Sequence, residues 1–358
     1  MKITVIPGRQ LTPEHVQAWS ALQATVPALS SPFLCPEFTV AVAAVRDDVR
    51  VGILEQGGRM VGFFPHQRRR WFVGEPVGGW LNDLQGVIAQ PDAEWDAGAL
   101  IRGCGLLEWR YGRLLASQEP FAPFHLRRHA SAFIDVSGGY DTYLAEKRQS
   151  GVDLENVQQL ARKTRNVERE IGPLRFESHS SDISVLAALM RWKSERYAPH
   201  GYRDAFAVSW ARRLLERVHA TQTLHFGGIL SVLYAGDEVA AAHMGLRSES
   251  LWHFWFPAYN PRFARYSPGL MLLLRMAQHA SAAGLQGIEL GGGAYAFKQT
   301  LANRSVILAE GGVARLPAIT AARRWRRSSA TLIRQSPLLH LPARAVNRAL
   351  HGVMRLCR

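Results

Sequence analysis

The sequence predicts a mixed α/β protein, and three observations carry that expectation. Residues 251–304 read as a strand, a turn, an apolar helix and a second strand ending in a glycine cluster. Val49–Leu54 and Met60–Pro65 are two strand-like runs facing each other across Gly57-Gly58, the pattern of a hairpin. Between these regions lie three stretches of helical periodicity. With 47% hydrophobic and 20% charged residues, the chain belongs among proteins that bury a core. Its 358 residues allow one large domain or two ordinary ones.

Taken in order, Ile3–Ile6 predicts a strand, and Pro13 opens a helix carrying Val16, Trp19 and Leu22. After the hairpin, Gly74–Gly79 reads as a loop, Phe133–Val136 as a strand, and Gly138-Gly139 as a boundary. Asn156–Ile171 predicts a helix with Val157, Leu160, Ala161, Thr164, Val167 and Ile171 on one face. Its cations Arg162, Lys163, Arg165 and Arg169 lie away from that face, and Gly172-Pro173 ends it. Asp182 caps a second helix to about Tyr197, and a third runs from Val208 to His219. Leu224–Tyr234 and Glu238–Leu246 are successive strands joined at Ala235-Gly236-Asp237.

Leu251–Phe256 is the next strand. Arg262, Arg265 and Ser267 surround the turn after it, and Pro268-Gly269 opens a helix, where a missing N–H costs nothing. Leu270, Leu273, Leu274, Ala277 and Ala280 share one face of that helix, opposite Arg275, Gln278, His279 and Ala282. Gly284 stops it, Gly287–Leu290 forms a strand, and another follows near Val306–Ala309. A strand feeding a positive helix N-terminus with arginines nearby is a natural cradle for a pyrophosphate.

Composition narrows the function classes. No apolar run is long enough to span a bilayer, and the apolar stretch in MKITVIPGRQLTPEHVQAW is too short for a secretory signal. Cys35, Cys104 and Cys357 lie far apart without metal-ligand spacing, which suits a reducing, cytoplasmic setting. No His/Cys/Asp cluster has ligand spacing and no Gly-x-Ser-x-Gly occurs, so neither a metal enzyme nor a serine hydrolase is expected. From Gly311 onward there are ten arginines and no acid, so +4 of the formal +14 belongs to the rest of the chain. Within this tail, Ala343–Arg358 is amphipathic, with Val346, Leu350, Val353 and Cys357 on one face, and Arg323–Arg327 adds charge around Trp325. That pattern predicts contact of residues 316–358 with an anionic membrane surface, at the inner face of the membrane; no nucleic-acid module accompanies the charge.

Several motifs resemble those of the GNAT acyltransferases, and more closely the CelD/BcsL-type acetyltransferases of cellulose and exopolysaccharide biosynthesis. They are Ala161–Asn166 with Gly172, Asn260-Pro261-Arg262, Tyr266–Gly269, and Ile288–Gly293 leading to Phe297-Lys298. Upstream, Ser31-Pro32-Phe33 and Asn82-Asp83-Leu84 also fit. The resemblance implies two GNAT-like units in tandem, as in FemABX transferases: residues 1–139, residues 140–315 bearing the acyltransferase site, and the basic tail 316–358. It also implies acetyl-CoA as co-substrate, no metal, and a sugar or polysaccharide-precursor acceptor attacked through an amine or hydroxyl.

Under that resemblance Arg262, Arg265, Ser267, Pro268 and Gly269 hold the coenzyme. They depart from the usual Arg/Gln-x-x-Gly-x-Gly/Ala loop in keeping one glycine. Glu289 is the expected general base. Lys298 would stabilise negative charge on the carbonyl oxygen or hold a phosphate, Tyr295 would protonate the departing thiolate, and His243, with His253 on the adjacent strand, would face the cleft. Two other functions remain open: a FemABX-like transferase using aminoacyl-tRNA, and a non-catalytic membrane-associated scaffold of polysaccharide synthesis.

Overall fold

The computed structural model describes residues 1–149, 154–197, 204–293 and 295–316. The amphipathic segment 343–358, Arg323–Arg327 and Cys357 lie outside the described residues. Strand β1 (Lys2–Pro7) leads to α1 (Pro13–Ala24) and α2 (Pro36–Val45), then to the hairpin β2 (Val49–Gln56) and β3 (Arg59–Arg68). Thr12 starts α1: its hydroxyl accepts the His15 N–H while the His15 ring takes the Thr12 N–H. Trp19 and Leu22 are buried, as the periodicity requires.

Next come β4 (Val73–Glu75), β5 (Ile88–Ala89), α3 (Ala97–Gly103), β6 (Glu108–Leu115) and β7 (His125–Asp135). The stretch expected to be loop from Gly74 therefore begins as a short strand, β4, parallel to β6. β7 starts at His125, well before Phe133, because exposed Arg127 and Arg128 conceal its apolar pattern.

The rest of the chain forms α4 (Tyr140–Gln149), α5 (Leu154–Glu170), β8 (Leu174–Glu177), α6 (Ile183–Tyr197) and α7 (Ser209–His219). It continues through β9 (Gly227–Ala235), β10 (Glu238–Arg247), β11 (Leu251–Tyr259), α8 (Pro268–Ala282), β12 (Gly287–Gly291), α9 (Ala296–Leu301) and β13 (Arg304–Ala314). The buried face of α8 is broader than the expected stripe: Met271, Leu272 and Met276 are buried, whereas Leu270 and Leu274 are half-buried. The helix packs on the sheet and also touches α4 and α5, so two of its flanks are covered.

All the strands join one sheet in the order β1-β2-β3-β4-β6-β13-β7-β12-β11-β10-β9-β8, with β5 on β3. β13 enters between β6 and β7, antiparallel to both. β7, from the first part of the chain, pairs antiparallel with β12. Each part thus receives a central strand from the other. One apolar cluster crosses the same junction, placing Phe33 and Phe38 with Trp255, Phe256 and Leu214. The Trp255 indole N–H donates to Leu81 O at 2.9 Å, and Phe33 meets its ring edge-on at 5.6 Å.

Neither residues 1–139 nor 140–316 should fold alone, because the first lacks β13 and the second lacks β7. Each fragment is expected to show no cooperative thermal transition by circular dichroism, with one returning when the two are co-expressed. A cooperative melt of the isolated 1–139 fragment would contradict this. Trp255→Ala should cost about 3–5 kcal/mol, read by denaturant unfolding of the whole chain.

Candidate active site

β11 and β12 are parallel neighbours for three residue pairs, the last being His253 opposite Glu289. The ladder stops there. β11 runs on beside β10 to Tyr259, while β12 reaches Gly291, whose φ of +70° turns the chain toward Ala132 of β7. Two splayed parallel strands thus define a gap with His253 and Glu289 at its apex.

At the apex the His253 ring is held on both sides by carboxylates. Its Nδ1 lies 3.1 Å from Glu289 Oε2 and its Nε2 lies 3.2 Å from Asp83 Oδ2. A neutral imidazole carries only one N–H, so two carboxylate partners select the doubly protonated ring. Burial alone would push its pKa down, but the bonds to Asp83 and Glu289 outweigh that and raise it. Ser31 Oγ donates to Glu289 Oε2 at 2.7 Å, and Arg113 Nη1 stands 3.3 Å from Asp83 Oδ1. Burial drives the Asp83 carboxyl up, yet His253, Arg113 and Lys298 together hold it below its ordinary range. Side-chain exposure is 1% at His253, 7% at Glu289 and 22% at Asp83, so Asp83 is the open end of the chain of charges. A Cβ at position 291 would stand 2.8 Å from Asp83 Oδ2, so glycine is what admits the carboxylate there.

Two lysines flank the gap. Lys298 of α9 donates to Gly291 O at 3.1 Å and to Gly292 O at 2.5 Å; burial lowers its pKa to about 8, with Asp83 opposing and Arg113 assisting. Lys193 of α6 donates to Pro257 O on β11 at 2.9 Å and is likewise lowered to about 8, mainly by burial. Tyr295 is exposed just ahead of α9, its ring 5.4 Å from Lys298 Nζ. His243 lies on β10, the strand paired with β11. It is fully buried and accepts the Trp255 N–H through Nε2 at 3.1 Å, and burial takes its pKa down to about 3, so it is a neutral core histidine.

The residues expected to hold the coenzyme gather at the start of α8. Ser267 adopts a left-handed backbone (φ +61°), Pro268 opens the helix, and Gly269 has only ordinary contact space around it. Both arginines are engaged. Arg262 Nη1 bonds the two Glu238 carboxylate oxygens at 2.6 and 2.7 Å, while Arg265 reaches Glu170 Oε2 at 2.8 Å and the Tyr266 hydroxyl. The cation facing the helix start is instead Lys163 of α5, whose Nζ donates to Ser267 Oγ at 2.9 Å.

Comparison with known proteins bears on the fold. Residues 155–299 match the family model of an acetyltransferase (GNAT) domain. The matched span runs from α5 into α9. The fold of the whole described chain is similar to the crystal structure of FemX, with a TM-score of 0.58, 9% identity, and coverage of 89% of this chain and 98% of that one. It is also similar to the C-terminal domain of a protein described as a lysylphosphatidylglycerol synthetase from Agrobacterium fabrum. There the TM-score is 0.52 at 13% identity, covering 89% of this chain and 96% of that one. No curated protein sequence matches the chain.

The raised pKa of His253 is open to a direct test. Ring nitrogen shifts should report a His253 that titrates above its unfolded value, while His243 stays neutral down to about pH 4. Asp83→Asn should lower the His253 pKa; a wild-type His253 that titrates at or below its unfolded value of ~6.5 would contradict the geometry. Since the folded value is the higher, the ring's stabilisation is complete below pH ~6.5 and fades as pH rises through the folded pKa.

Proposed function

We propose that the protein transfers an acetyl group from acetyl-CoA to an amine or hydroxyl of a sugar or polysaccharide precursor. The observation carrying acyl transfer is the Asp83–His253–Glu289 chain at the apex of the splayed strands β11 and β12. The acetyl choice and the sugar acceptor rest on the sequence resemblance to CelD/BcsL-type enzymes. In this reading the thioester lies in the gap, with the coenzyme phosphates toward the α8 N-terminus and Lys163, where the helix dipole and the ammonium attract anions.

The Asp83 carboxylate, the most open of the three groups, receives the acceptor's N–H or O–H and takes its proton as the nucleophile bonds to the carbonyl carbon. His253, held from behind by Glu289 and Ser31, fixes the direction of that carboxylate. As the C–S bond breaks, the sulfur takes a proton from Lys298, which is mainly protonated at neutral pH. Tyr295 stands beside it as a second donor. No covalent enzyme intermediate is required.

One observation favours a second reading. Because Arg262 and Arg265 are already paired with Glu238 and Glu170, a donor that is not gripped through a pyrophosphate, such as an aminoacyl-tRNA, would leave those pairs intact.

Thiol release from acetyl-CoA with a panel of amino and neutral sugars tests the proposal. Asp83→Asn and Glu289→Gln should each lower kcat/KM by about 10²–10⁴-fold, the range of general-base catalysis. Activity that survives both substitutions would exclude this mechanism. The rate should fall above pH 8 as Lys298 loses its proton, and Lys298→Arg should move that limb upward. A folded wild type that ignores acetyl-CoA but consumes aminoacyl-tRNA would establish the second reading.

A further inference from the structure

Just beyond the strand ends of β4, β6 and β13 three backbone segments lie side by side along the sheet's rim. Leu107 N donates to Phe72 O at 2.9 Å, and Arg315 N donates to Leu107 O at 2.9 Å. The side chains around this edge are apolar and open to solvent: Trp71 is 79% exposed, Phe72 54%, Leu107 39% and Leu316 59%. Arg68, Arg70, Arg102, Arg110 and Arg315 are exposed near them. The nearby acids are spent, with Glu75 and Asp48 paired to Arg69 and buried Glu108 paired to Arg110.

Trp71 and Phe72 hold positive φ values of 60° and 54°, an unfavourable backbone for aromatic residues. That conformation lifts both rings off the body; the Arg68 guanidinium lies 5.7 Å from the Phe72 ring. Strain that holds aromatics out in water makes no core. Arginine beside exposed Trp and Phe suits the boundary between anionic headgroups and acyl chains.

From this edge we infer that residues 68–72, with Leu107 and Leu316, form a docking surface for an anionic lipid bilayer. The chain continues from Leu316 into residues 317–358, which carry nine arginines and no acid. No helix among the described residues is long and apolar enough to cross a membrane.

Sedimentation of the full chain with phosphatidylglycerol/phosphatidylcholine vesicles, against pure phosphatidylcholine, tests the assignment. Wild type should bind the anionic vesicles alone. Trp71→Ser/Phe72→Ser should weaken that binding about tenfold, and Arg68→Gln/Arg70→Gln by a similar factor that shrinks at high salt. Trp71→Phe keeps the apolar contact, so it should still bind while losing most of the fluorescence quenching by brominated lipid. Binding unchanged in both double variants would place all membrane contact in the tail and overturn the assignment. Equal quenching in wild type and Trp71→Phe would overturn it too, as would preference for nucleic acid over vesicles.

Discussion

Everything distinctive about this molecule converges on one buried imidazole. The protonated form of His253 is favoured because Asp83 and Glu289 approach the ring from opposite sides, and each carboxylate is tolerable in the interior because the ring answers it. Removing one member of such a buried set leaves an uncompensated charge, at a cost of about 3–5 kcal/mol. The set also ties together distant parts of the chain. Asp83 comes from a loop ahead of β5, His253 from β11, Glu289 from β12 and Ser31 from the turn before α2.

The exchange of strands makes this assembly possible. β7 completes the sheet next to β12 and thereby fixes the carboxyl end of Glu289's strand, while β13 locks β6, which carries Arg113. The Phe33–Trp255 contact then seats the N-terminal segments over β11, bringing Ser31 within reach of Glu289 and Asp83 within reach of His253. The first 139 residues therefore supply Asp83, Arg113 and Ser31 directly to the site.

Much of the second part was legible because it is locally encoded. Pro268 and Gly284 bracket α8, Asp182 precedes α6, and the strand pattern around Gly236 is a hairpin. Glu289 could be singled out because it lies beside the glycine cluster, and Lys298 through the resemblance carried by Phe297-Lys298. The site's other half was hidden for a physical reason: its key contact joins residues 170 apart, and no periodicity signals such a pair. Asp83 is an ordinary loop aspartate in sequence, and only the resemblance of Asn82-Asp83-Leu84 drew notice to it. β6 was missed although buried Trp109 and Tyr111 alternate with exposed Arg110 and Gly112, because the charges outweigh the apolar signal. The arginines near α8 looked free since Glu170 and Glu238, which pair with them, lie far away in sequence.

The central claim is that the gap between β11 and β12 receives an acyl-CoA and that Asp83 acts on the acceptor rather than on the donor. Calorimetric titration of the full chain with acetyl-CoA tests this most directly. Saturable binding is expected, retained in Asp83→Asn and weakened in Lys163→Met. The absence of binding by folded wild type, or its loss in Asp83→Asn with Lys163→Met unaffected, would contradict the account.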